Sequence, residues 1–371
     1  MILPKIAFKN QKNFRSTFQS WKEDSLMEQL RLFVGSGYPY RFFGLKGHDN
    51  ARQYLRDFLQ KQTQSSSSTK MIEQVFEFKK TDIKQFFKND FEENFAKHFK
   101  KEDIEYQKWS KFLTKMELLV DQIKLQKGIN FIWKKEVDPS RPWIIITAGY
   151  DTIGIDWENL SPLNTGTFPG ADCNGSSVAI ALGLVTSFAK LNFENNLMIV
   201  FTDMQQLAYQ GTLHFIENLG KNDLPKKNSI ALAISLEMLG HDSKIFDKDK
   251  KLGNLKIYST ITGSATHEKE AYPIEFIAKA NSSLKSDIHF EWIANQFENS
   301  DAFRFWEKQI PSIVFTQNWE KDFNHKRYLT IQDIPESINA KTLTNALKYI
   351  GQGIWYLLND PNLMDTAGRS K

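Results

Sequence analysis

Three polar segments of this 371-residue chain each follow directly on an apolar, β-branched run: Gly149-Tyr150-Asp151, Asp203-Met204-Gln205-Gln206 and Glu237-Met238-Leu239-Gly240. Open α/β sheets bind ligands beyond the carboxyl ends of their strands, so carboxylates and amides gathered there are placed to hold a metal, bind a peptide or move a proton. Two further residues could join them. Cys173, the single cysteine, sits just ahead of a helical pattern that begins near Ser176, and His325 lies in a polar stretch late in the chain. Ionised groups are sparse at these places, so the chemistry they offer is thin.

The elements that must position these residues read as an α/β fold with a mainly parallel central sheet covered by helices on both faces. The candidate strands are Ile129 to Trp133, Trp143 to Ala148, Leu197 to Asp203, Ile230 to Met238, Leu255 to Thr260 and Ser312 to Thr316, with a further one at Val75 to Phe78. Helical patterns fall between them, marked by Val178, Leu182, Val185 and Phe188, by Ile274 to Ala280, and by Leu343, Leu347, Ile350 and Ile354. An earlier helix over Asn50 to Leu59 carries Asp49 as its expected cap. Residues 1–358 are expected to form one domain, with a helical insertion at about 82–127 and a flexible tail at 359–371. In the insertion Phe87, Phe91, Phe95 and Phe99 recur every fourth residue, the spacing of a packed helical face.

Composition narrows the function classes. Lys plus Arg number 48 against 44 Asp plus Glu, too even a balance for bulk attraction to nucleic acid or a membrane surface. One cysteine excludes an internal disulfide framework and a multi-cysteine zinc site. Neither a signal-peptide core nor an apolar stretch of roughly 20 residues is seen, and the expectation is a soluble, cytoplasmic protein.

Taken in order, the strand-end motifs resemble the family-28 zinc metallopeptidases, which include aminopeptidases and glutamate carboxypeptidase II, with glutaminyl cyclase as a relative. The resemblance starts at Arg41-Phe42-Phe43-Gly44, runs over roughly residues 38–358 and skips the helical insertion. In the family a strand ends in His-x-Asp, where the histidine binds zinc and the aspartate orients it; here the strand ends in Gly149-Tyr150-Asp151. The family's Gly-Ala-Asp-Asp-Asn, with its metal-bridging aspartate, is matched by Gly170-Ala171-Asp172-Cys173-Asn174. A count shifted by one would make Asp172 the bridging position instead. Asp-x-Glu-Glu, carrying general base and ligand, becomes Asp203-Met204-Gln205-Gln206. Glu237 and His325 keep residue types able to bind metal, although Leu329 replaces an aspartate usual after the histidine. Asp301, in Ser300-Asp301-Ala302-Phe303, completes the pattern.

The resemblance therefore implies a zinc-exopeptidase-like fold whose ligand positions Gly149, Cys173 and Gln206 are degenerate and whose general-base position is Gln205. Asp151, Asp203 and Asp301 are expected to act as supporting residues. Three function classes follow. The leading one is a catalytically inactive, peptide-binding or scaffold protein, with a peptide or protein as partner and no cofactor. The second is a metallopeptidase or glutaminyl-cyclase-like enzyme with a reduced zinc site at Glu237 and His325. The third is a hydrolase with Cys173 as nucleophile and His325 as base. His48 is assigned no role.

Overall fold

The computed structural model of the chain describes residues 3–64, 68–125, 127–163, 165–241, 255–282, 290–319, 324 and 326–364, and counts and absences refer to these. Three helices come first: α1 (Phe8–Gln19), α2 (Glu23–Ser36) and α3 (Lys46–Thr63). Strand β1 (Thr69–Glu77) leads into α4 (Lys80–Phe91), a π-turn (Glu92–Ala96) and α5 (Ile104–Gln122). Next come β2 (Lys127–Lys135), β3 (Trp143–Gly149), the short pair β4 (Gly154–Asp156) and β5 (Ser161–Leu163), α6 (Ser177–Phe188), β6 (Asn196–Thr202), α7 (Gln210–Glu217) and β7 (Ile230–Leu236). The chain continues through β8 (Leu255–Tyr258), α8 (His267–Asn281), β9 (Glu291–Ile293), α9 (Ala302–Glu307), β10 (Ser312–Gln317) and α10 (Ala340–Leu358).

All six main strands expected from the sequence are present, in an eight-stranded sheet of order β1-β2-β6-β3-β7-β10-β8-β9. The four central strands β6, β3, β7 and β10 run parallel, and antiparallel pairs lie toward the edges. Every residue of β3, β6 and β10 is buried, which explains their continuous apolar runs: strands covered on both faces have no solvent side to alternate with. The pleat still sorts their side chains. Ile144, Ile146 and Ala148 point into the core with α2, α6 and α10, whereas Trp143 and Ile145 point to the opposite layer with Phe215 of α7 and Phe305 of α9.

The expected insertion is a helical pair. Phe91 stacks beside Phe95 and meets Tyr106 edge-on, and Phe95 stacks on Trp109 at 4.4 Å, so the phenylalanine stripe of α4 and the π-turn faces α5. Phe99, at the end of the stripe, is exposed. Ile83, Met116, Leu119 and Val120 bury the pair against a second core that includes Cys173, Met204 and Met238, so the insertion packs on the end of the sheet where the strand-end residues lie.

Two boundaries differ from expectation. Helix α3 begins at Lys46, with Leu45 rather than Asp49 at the cap position. Gly47 permits this early start, because a Cβ there would sit 2.3 Å from the Gly37 carbonyl oxygen; Asp49 falls in the first turn, where an anion meets the positive end of the helix dipole. The tail does not start at 359. Asn359, Asp360 and Leu363 are buried, and Asn195 donates a hydrogen bond to the Asp360 carbonyl at 2.8 Å. Residues 365–371 and the serines 65–67 of an expected loop lie outside the described residues.

Candidate functional site

Strands β3, β6 and β7 end side by side, and their next residues meet in one buried network. Gly149 closes β3 opposite Thr202 of β6. Its missing side chain leaves a space that Gln205 fills: a Cβ on Gly149 would lie 2.3 Å from Gln205 Oε1, 2.4 Å from Cδ and 2.7 Å from Cβ. From that space Gln205 Nε2 donates to Glu237 Oε1 at 2.6 Å. Asn174 Nδ2 donates to Glu237 Oε2 at 3.0 Å and lies 3.3 Å from Gln205 Oε1, and Ser235 Oγ donates to Glu237 Oε1 at 3.0 Å. Burial, then the nearby charge of Asp301, pushes the Glu237 carboxyl well above its ordinary range and favours the protonated acid.

Asp151 accepts from the backbone N–H groups of Gln205 and Gln206 at 2.8 and 3.1 Å and so anchors the loop after β6. Met204 enters that loop with φ 55°, a left-handed conformation that costs a non-glycine residue roughly 1–2 kcal/mol and turns the chain sharply back toward β3. Complete burial, reinforced by the charge of Asp203, moves the Asp151 carboxyl up to about 7. Asp203 is buried too, but it has side-chain partners: His48 Nε2 at 2.8 Å and the Arg52 guanidinium, with Nη2 at 2.5 Å, and the Ile129 N–H donates to it at 2.9 Å. Although burial alone would raise it, His48 and Arg52 hold Asp203 well below the carboxylate range. Asp301 accepts from the hydroxyls of Thr202 and Thr212 at 2.8 and 2.6 Å and is raised by burial.

The turn before α6 is held by a carboxylate from far along the chain. Asp333 accepts from the N–H groups of Asp172 and Cys173 at 2.8 and 3.0 Å. Asp172 faces away from Gln205, accepting from the Gly240 N–H at 2.8 Å and from Ser176 Oγ at 3.0 Å. Cys173 lines the cleft beside Gln205, Gln206 and Glu237, with the Gln206 amide 3.9 Å from its sulfur. Burial, then the charges of Asp333, Glu237 and Asp172, raises the Cys173 thiol well above its ordinary value and disfavours the thiolate that a nucleophile needs.

Above this floor opens a cleft of about 990 Å³. One wall is the insertion, with Phe86 and Phe87 of α4; the other includes Tyr209, Phe303 and Tyr328. Phe86 meets Tyr209 and Phe303 edge-on, which joins the insertion to the rim of the sheet.

Zinc, implied by the resemblance, needs several converging anionic or imidazole ligands. The described residues do not fit it. Gly149 offers no side chain and the Gln205 amide fills the space beside it, the Glu237 oxygens accept from three side chains, and no group of three or more His, Cys, Asp or Glu converges among the described residues as a metal would require. His325 lies outside them. The structure brings together Gly149, Asp151, Cys173, Gln205, Gln206 and Glu237; Asp203 and Asp301 lie at the flanks. His48, Asn174, Ser235 and Asp333 were not found by sequence reasoning. For His48 a signal existed, since it shares a helical face with Arg52 and with the apolar Ala51 and Leu55, and a face of that kind is buried. For Asp333 there was none.

Residues 130–353 match the sequence profile described as peptidase family M28. Among curated proteins, the BOS complex subunit NCLN of Homo sapiens is 23% identical over 229 residues, which are 57% of this chain and 37% of that protein. Nicalin of Caenorhabditis elegans is 24% identical over 250 residues, 60% of this chain and 40% of its own. The match thus spans well under half the length of these relatives. Among solved structures, BSAP, a zinc aminopeptidase from Bacillus subtilis, superposes with a TM-score of 0.64 at 12% identity, covering 91% of this chain and 96% of that one. Glutaminyl cyclase of Porphyromonas gingivalis superposes with a TM-score of 0.60 at 15% identity, covering 90% and 98%. At such identities the likeness is one of fold.

The expected cytoplasmic location is overturned by these relatives, the mammalian ones of which are named as subunits of the BOS complex. The expectation rested on missing apolar segments, and those bear only on whether this stretch of chain enters a membrane, not on its compartment. Among the described residues no helix is long and apolar enough to cross a membrane.

Proposed function

From the premise that the chain belongs to peptidase family M28, we propose that it uses the family's fold without metal hydrolysis, as a peptide-binding or scaffold subunit of a protein assembly. One observation carries the reading: the Gln205 amide occupies the space beside Gly149 and is tied to Glu237, so the centre of the site is a closed hydrogen-bonded network. An amide cannot take a proton from water near neutral pH, which leaves the general-base position without a base. The cleft above remains large enough for a peptide. Kinship with a named complex subunit supports the scaffold half of the proposal. A hydrolase built on Cys173 finds no support in the site, because its surroundings hold the thiol protonated.

The test is zinc content by elemental mass spectrometry after dialysis against zinc, run beside cleavage of an aminoacyl reporter. Near-zero metal per chain and no zinc-dependent cleavage are expected. Stoichiometric zinc that is lost in Glu237→Ala, together with turnover, would overturn the proposal.

A further inference from the structure

The walls of the cleft carry a charge pattern that its floor does not explain. Asp82, Asp90 and Glu93 reach it from the insertion, and Glu298 and Glu307 from the segments around α9. Arg304 is the lone cation among the described lining residues, and it is engaged: Nη1 pairs with Glu307 at 2.7 Å and Nη2 donates to the Ala208 carbonyl at 2.8 Å. Among the described residues of the walls, leaving aside Glu237 on the floor, five carboxylates against one guanidinium leave a formal excess of four negative charges, on a chain whose formal net charge is +4. Partial burial, then the charges of Glu93, Asp90 and Glu307, raises Glu298, as expected where acids from two separate segments crowd one space.

A metal ion does not account for the pattern, since these carboxylates form no group of three or more that could hold one. The cleft is far larger than an ion, and aromatic rings line it: Phe86, Tyr209, Phe303, Trp319 and Tyr328. Rings of this kind accept the aliphatic stems of long cationic side chains and attract their charged ends. Spread acids above an aromatic wall complement a chain that carries several separated positive charges.

We infer that the cleft between the insertion and the sheet rim binds a basic peptide segment of a partner protein, its Lys or Arg side chains meeting Asp90, Glu93 and Glu298. This rests on the peptide-binding reading above and adds the class of peptide. The selectivity comes from the insertion, because it supplies three of the five acids and one aromatic wall.

The experiment is fluorescence anisotropy with three labelled short peptides of equal length, alternating Lys-Ala, Ser-Ala and Glu-Ala, at low and high salt. The Lys-Ala peptide is expected to bind most tightly and to weaken with salt. Asp90→Asn/Glu93→Gln/Glu298→Gln should weaken it about tenfold, at two- to three-fold per exposed contact, and leave the Ser-Ala peptide unchanged. All three positions are exposed, so thermal unfolding of the variant should match the parent. Asp90→Lys/Glu298→Lys should shift preference to the Glu-Ala peptide. Neutralising Asp24 and Glu28, which do not line the cleft, should change nothing. If Ser-Ala binds as tightly as Lys-Ala, or the triple variant binds Lys-Ala like the parent, the basic-segment inference is overturned while peptide binding stands. If none of the three peptides binds, the peptide-binding reading falls and this inference with it.

Discussion

Replacing Gly149 with alanine should destabilise the protein through one identifiable side chain. The added Cβ would fall under 3.0 Å from three atoms of Gln205, and one of these is its Cβ at 2.7 Å, which side-chain rotation cannot move. Relief requires both a new Gln205 rotamer and a shift of the loop that Asp151 holds by two backbone hydrogen bonds. Expelling the amide loses its 2.6 Å bond to Glu237 and its contact with Asn174, and stranded buried partners cost about 1–3 kcal/mol each. Against this, Gly to Ala gains about 0.4–1 kcal/mol by narrowing the unfolded ensemble. The net expectation is a loss of about 2–5 kcal/mol, overpacking included, read as a lower urea midpoint with unchanged slope. A double-mutant cycle isolates the cause. In a Gln205→Gly background all three close contacts are gone, so Gly149→Ala should be neutral or slightly stabilising, whereas Gln205→Ala keeps the Cβ contact and should give only partial relief. A loss below about 0.5 kcal/mol in the parent, or an equal loss in both backgrounds, would show that Gln205 does not fill the space as described.

Two further outcomes follow from buried titratable groups. The Asp151 carboxyl lies at about 7 in the fold against an ordinary 3.8, so the folded state holds the proton more tightly than the unfolded one; its contribution is fully present below about pH 4 and is lost as pH rises through 7. The stability of the parent relative to Asp151→Asn should therefore fall across that window, by on the order of 4 kcal/mol, in urea titrations at stepped pH, and a difference that stays level would refute the assignment. The Cys173 thiol is buried and raised, and it should react with iodoacetamide at mildly alkaline pH only at the rate of unfolding, tracked by intact mass. Labelling as fast as a free thiol in the native state would mean that the thiolate is accessible.

Much of the fold was legible because its strands lie buried on both faces and read as continuous apolar runs of the right length, as in Ile144, Ile145 and Ile146 of β3. The helical pair α4 and α5 was legible from its four-residue phenylalanine spacing, and the nearness of Asp151, Gln205 and Glu237 from their places at the ends of neighbouring strands. The tail was misjudged because a polar stretch reads as frayed unless its partners are known, and the partners of Asp360 are Asn195 and Tyr272, far away in the chain.

Residue types and order by themselves determined that this is a family-28 fold with glycine, cysteine and glutamines at positions where zinc ligands and a base are expected. How the space beside Gly149 is filled was decided only by tertiary structure. A glycine there leaves either a void or room for a neighbour, and close packing of three strand ends selects the neighbour, the Gln205 amide. The protonation of the remaining acids is likewise a tertiary matter: Asp151 and Asp203 are both fully buried, yet one is raised because burial and the charge of Asp203 outweigh its backbone donors, while the other is lowered because α3 delivers His48 and Arg52 to it. A sequence records which groups ionise, and the distances between them set which of those groups do so inside the fold.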